Sequence, residues 1–152
     1  MSDYSHLLQV IRMRVCESRK LSHTAYSKDS LQDNQIRNRT ALIFILELVL
    51  DQHRAQHGSI FNPLQGKDAL HHLIFVKTKW LPSEIRKLNF PDALFVIQDE
   101  LKKENIPEEA QELLKAFYLP SVAITFDDFL EQEWDYKENS VFLQNQRLKA
   151  SQ

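Results

Sequence analysis

Only two glycines, Gly58 and Gly66, occur in 152 residues, where average usage would supply about ten. Glycine turns a chain through positive φ at little steric cost, so tight hairpins, small barrels and Rossmann-type turns all draw on it. A chain this poor in glycine is expected to consist of helices joined by other means. The same shortage removes the glycine-rich cradle that holds nucleotide phosphates, which argues against Walker and dinucleotide-binding architectures.

The most apolar stretch is TALIFILELVLDQHRAQHG, residues 40–58. Its helix is expected to start at Ser30, where Ser30-Leu31-Gln32-Asp33 has the form of a capping box, and to end with Gly58 as a left-handed C′ residue. The middle, Ala41 to Leu50, is apolar on nearly every face except Glu47. That pattern suits a helix wrapped by others on all sides, with Ile45 in the core and Arg54, beyond the run, indifferent to replacement by Lys. A membrane span needs about 20 apolar residues, and this run ends at Asp51.

Around this central helix, at about 30–57, the pattern predicts a first helix over 4–18 with Leu8, Ile11 and Val15 on one face. A polar, mobile loop is expected over 19–29. A third helix over 67–78 carries Leu70, Leu73 and Ile74, and a short turn follows Pro82. A helical hairpin is expected at about 91–118, its arms opening at Pro91 and Pro107, each followed by acids that suit a helix start. SVAITF, residues 121–126, reads as an extended connector. Thr125 opens a second capping-box pattern and predicts a helix bearing Phe129, Leu130 and Trp134. A last helix from Asn139 carries Val141 and Phe142 and frays at 149–152. The expected fold is therefore all-α: one domain over 1–152, a bundle of six or seven helices around the long central one.

Composition bounds the setting. With 43% hydrophobic and 26% charged residues, the chain can bury a core and stay soluble. A net charge of −2 gives no bulk reason to bind nucleic acid or a membrane. The single Cys16 excludes an internal disulfide and fits a reducing compartment. Residues 1–20 lack the apolar core of a secretory signal, so a cytoplasmic location is expected.

Motifs for chemistry are few. His53 and His57 stand at i and i+4, the spacing used by zinc ligands on one helix face. HExxH is absent, however, Arg54 lies between them, and only one of His71 and His72 can approach the pair. A plainer reading is a helix end where protonated imidazoles suit the dipole. There is no GxSxG and no cysteine signature, so no catalytic residue, metal or cofactor is assigned and a non-enzymatic role is expected.

Charge is distributed more tellingly. Residues 1–90 hold 13 Lys+Arg against 8 Asp+Glu, a balance of +5, and residues 91–152 hold 6 against 13, a balance of −7. The acids concentrate in DDFLEQEWDYKE, residues 127–138, interleaved with aromatics. The plain explanation is that the two halves neutralise each other within one fold. A sharper one makes the chain a regulator or adaptor that binds another protein or a second copy of itself, through Trp80, Phe129, Glu131, Glu133, Trp134, Asp135 and Tyr136. The alternative is a nucleic-acid-binding regulator that uses Arg12, Arg14, Arg37 and Arg39, the last two within QIRNRT at 35–40. No membrane partner is expected.

Overall fold

The computed structural model describes residues 3–21 and 30–150. Among them are seven α-helices: α1 (Asp3–Ser18), α2 (Leu31–His57), α3 (Lys67–Thr78), α4 (Pro82–Arg86), α5 (Phe90–Val96), α6 (Glu108–Lys115) and α7 (Tyr136–Ala150). Three short 3-10 turns accompany them, and the described residues contain no strand. The chain is all-α. No helix among these residues is long and apolar enough to cross a membrane. Of the mobile loop expected over 19–29, residues 22–29 lie outside the described residues, as do 151–152 of the frayed end expected over 149–152, whose residues 149–150 are still helical.

Two compact units divide the chain, residues 1–44 with 107–152, and residues 45–106. In the first, α1 packs on α7, on the 3-10 turn at Glu131–Glu133 and on α6, burying Leu7, Ile11 and Val15 completely. In the second, α3 packs on α4 and α5, and Leu46, Leu50, Ile74 and Ile97 are fully buried. Helix α2 supplies residues 31–44 to the first unit and 45–57 to the second.

The start of α2 follows its sequence signal, with the Ser30 hydroxyl accepting from the Asp33 amide at 3.1 Å. Its middle departs from complete wrapping. Ile43, Phe44 and Leu46 are fully buried, but Leu42 and Ile45 are half-buried, so one edge of the apolar run reaches the surface. Conversely Glu47, the one acid in the run, is buried.

Gly58 does not take the left-handed conformation expected of a C′ glycine, since Gly66 alone among the described glycines has positive φ. It is required for close approach instead. Its amide returns to the Arg54 carbonyl at 2.8 Å, and a Cβ there would lie 2.6 Å from that oxygen and 3.1 Å from the Pro63 carbonyl oxygen. The left-handed residues that follow α1, α3 and α6 are Lys20, Lys79 and Tyr118. A glycine-poor chain ends these helices with residues that pay steric strain for the same backbone turn.

Two expected helices are cut down. The first arm of the 91–118 hairpin is helical only to Val96, then breaks into 3-10 turns at Gln98–Glu100 and Lys103–Asn105. There the Asn105 side chain donates through Nδ2 to the Glu100 carbonyl at 2.9 Å. The helix expected after Thr125 is replaced by irregular chain and the turn at 131–133. Phe126, Asp128 and Glu133 all reach the same arginines, and on a helix Asp128 would point about 200° away from Phe126. Asp135 then caps α7, accepting from the Glu138 amide at 3.1 Å, so that helix starts three residues before Asn139.

Candidate functional site

In the first unit the acidic-aromatic segment is bound by the chain's own arginines. Glu133 is fully buried and accepts from Arg39 Nη1 at 2.7 Å and from Arg19 Nε. Arg19 also reaches Asp128 at 2.9 Å. Its guanidinium lies 3.7 Å from the Phe126 ring centre, and that of Arg39 lies 3.9 Å from Phe129. The Asp128 carboxyl is held below the usual carboxylate range by its hydrogen bond from Arg19. These contacts are the neutralisation of basic against acidic residues within one unit.

Two of the residues expected at a binding face are inside instead. Glu133 and Trp134 are buried, Trp134 meeting Tyr136 edge-on at 5.4 Å. Phe129 lies under Arg39, where a partly desolvated ring takes the cation the fold supplies, and Asp135 is a helix cap. Only Glu131 of that segment's candidates is exposed, Tyr136 being half-buried. The four arginines of the nucleic-acid reading are engaged as well. Arg39 is buried on Glu133. Arg14 donates to Asn139 at 2.9 Å and Glu138 at 2.8 Å. Arg12, at 4.0 Å, and Arg37 both face the buried Asp33. Each of the four thus faces a carboxylate of the chain itself.

The second unit presents a different surface. Between α2 and α3, Ser59 closes a tight turn: its amide donates to the Asn62 carbonyl at 2.9 Å, and its hydroxyl accepts from the Phe61 and Asn62 amides at 3.2 and 3.1 Å. Arg54 braces the far side, donating to the Leu64 carbonyl at 2.9 Å and the Gly66 carbonyl at 3.2 Å. Arg54 is therefore not indifferent to Lys, which cannot reproduce a forked donor. The braced turn carries Ile60 and Phe61, 91% and 90% exposed. Trp80 and Leu81, after α3, are 48% and 68% exposed. Asn62 and Pro82 line one cleft of about 290 Å³ together with Phe75, Ile85, Asp68 and Arg86. The two exposed apolar pairs are thus the chain neighbours of residues on that cleft's wall.

Behind the turn three histidines meet. His53 Nε2 and His72 Nδ1 are 2.8 Å apart, a hydrogen bond. The ring of His57 lies 4.4 Å from that of His53 and 5.4 Å from that of His72. Burial, followed by the nearby His57, His72 and Arg54, pushes His53 down to about 4, with Glu100 opposing. Burial and His57 lower His72, while burial and Arg86 lower His71. The expectation of protonated imidazoles at a helix end is thereby reversed for His53, which is buried and neutral at pH 7. Among the described residues no group of three or more His, Cys, Asp or Glu is arranged to hold a metal ion. Cys16 is buried, and burial raises its thiol, which keeps it protonated.

Of the sequence candidates, Trp80 precedes the cleft residue Pro82 by two positions and is 48% exposed, and His53 and His57 lie on α2 just before the turn. Sequence reasoning passed over Ile60 and Phe61, although two large apolar residues set between Gly58-Ser59 and Asn62-Pro63 are an apolar pair inside a turn signal. Neither a protein-family model nor a curated protein nor a solved structure matches the chain, so the geometry of these two units stands on its own.

Proposed function

We propose that the chain acts by binding a protein, another chain or a second copy of its own, through the second unit, and that it does so without catalysis. The observation that carries this reading is the pair Ile60 and Phe61, almost wholly exposed on a turn that is hydrogen-bonded from both sides. Displaying two large apolar side chains in water has a cost, and fixing their backbone in advance removes part of the ordering penalty of association. Trp80 and Leu81 add a second apolar pair, and aromatic anchors of this kind dominate binding energy at interfaces. The cleft is wide enough for about one or two inserted apolar side chains, with Asp68 and Arg86 at its wall as polar contacts.

The test compares wild type with the double variant Ile60→Ser, Phe61→Ser. Light scattering over a concentration series reads self-association, and affinity capture under native salt with mass spectrometry reads other partners. The expected result is an association that the variant weakens at least about tenfold. A wild type that stays monomeric and retains no protein beyond those the variant retains would overturn the proposal.

A further inference from the structure

The turn that displays Ile60 and Phe61 leaves α2 just after His57 and enters α3 at Lys67. Its base is crossed by two kinds of contact. Arg54 tethers the returning strand of the turn through the Leu64 and Gly66 carbonyls. The histidines join the last turns of α2 to α3 through the hydrogen bond between His53 and His72. We infer that His53, His57 and His72 form a proton-gated clasp at the base of this turn, closed while the imidazoles are neutral and opened when the cluster takes up protons. The inference rests on the proposed binding role of the turn and supplies its regulation.

A hydrogen bond between two ring nitrogens needs a lone pair on one of them, so it cannot survive protonation of both rings. A second proton anywhere in the cluster also sets two cations within about 5 Å, in a site where His53 is 6% exposed and poorly screened. The surroundings do not compensate. From α2 the facing cation is Arg54, and from α3 and its cap they are Lys77 and Lys79. The facing acids are Glu100 and Glu104 on the two 3-10 turns, and Glu100 is already paired with Lys77 at 3.2 Å. His71 lies among Asp68, Arg86 and Lys67. Arg54 does not titrate in this range, so one tether persists and the opening is local.

Amide hydrogen exchange and imidazole titration by NMR on the full chain test this, at about pH 7.5 and about pH 5. His53 is held near 4 when closed and returns to about 6.5 when released. The opening equilibrium of amides 59–66, corrected for intrinsic exchange, should therefore rise about ten- to thirtyfold at the lower pH. Amides of α1 serve as the control and should change less than about threefold. The variant His53→Gln keeps a hydrogen-bonding side chain facing His72 and removes the buried group whose protonation drives the rise, and should reduce the change at 59–66 at least about threefold. Equal protection at both pH values, or an equal loss in α1, overturns the clasp. Should the variant not fold, the His53 ring decides: a midpoint below about 5.5 supports the clasp and one above about 6 overturns it. Loop opening is read without any partner, so absence of association sinks the binding role and leaves the clasp standing. Association that is the same at both pH values, in a protein whose turn opens, sinks the regulatory link.

Discussion

Scarce glycine leaves its mark residue by residue. Lys79 closes α3 at φ 61° with its amide on the Phe75 carbonyl at 2.8 Å. A side chain in that conformation carries about 1–2 kcal/mol of strain, whereas glycine carries none there but loses more backbone freedom on folding. Lys79→Gly should therefore stabilise the protein by about 0.5–1 kcal/mol, an unusual direction for a glycine substitution. Gly58 is the opposite case. Its backbone is not left-handed, but Ala there would drive a methyl against the Arg54 and Pro63 carbonyls, at about 1–3 kcal/mol. Urea melts of both variants check the pair. If Gly58→Ala were neutral and Lys79→Gly destabilising, this account of the helix ends would fail in both halves.

At the scale of elements, the sequence was most readable where a segment's own periodicity decides its structure. The third helix was expected at 67–78 and is found there, and α1 and α2 match within a residue, because their apolar spacings and the Ser30 cap are local signals. The segment 125–134 was misread because its structure is set by side chains far away in sequence. Its capping-box pattern is real, but Arg19 and Arg39 draw Phe126, Asp128, Phe129 and Glu133 into an arrangement that no helix permits. Tertiary pairing outweighed local propensity. Glu133 and Trp134 of the expected binding face are buried there, and no pattern within 127–138 marks which of its residues go inside. Ile60 and Phe61 escaped because apolar residues in a turn are read as core until exposure is known. Glu133→Ala should accordingly cost about 3–5 kcal/mol, since it leaves the buried Arg39 without its carboxylate. Asp128→Ala, which removes a mostly exposed partner of Arg19, should shift the urea midpoint far less. Similar midpoints for the two would mean that the network does not hold this segment.

For the molecule as a whole, the opposed charge balances of its two halves are less informative than they looked, since in the first unit they are spent on internal pairing. The titrating groups give the two units different acid responses. In the first unit, Asp128 stays ionised below the usual carboxylate range, so its pairing with Arg19 is lost only as pH falls through that depressed value. In the second unit, His53 binds its proton less readily folded than unfolded. The unfolded chain therefore takes up the extra proton, and stability falls as pH drops from about 6.5 toward about 4. Fully expressed, the shift is worth about 3 kcal/mol, and at about pH 5 linkage gives about 2 kcal/mol. That is a large share of a stability that is typically 5–15 kcal/mol. Urea midpoints should thus decline between about pH 7 and about pH 5, well above the range where carboxylates protonate. His53→Gln should flatten that decline, because glutamine fills the site without titrating. A wild-type midpoint constant down to about pH 5 would mean that His53 is as easily protonated in the folded chain as in the unfolded one, and that its burial beside two other imidazoles carries no electrostatic consequence.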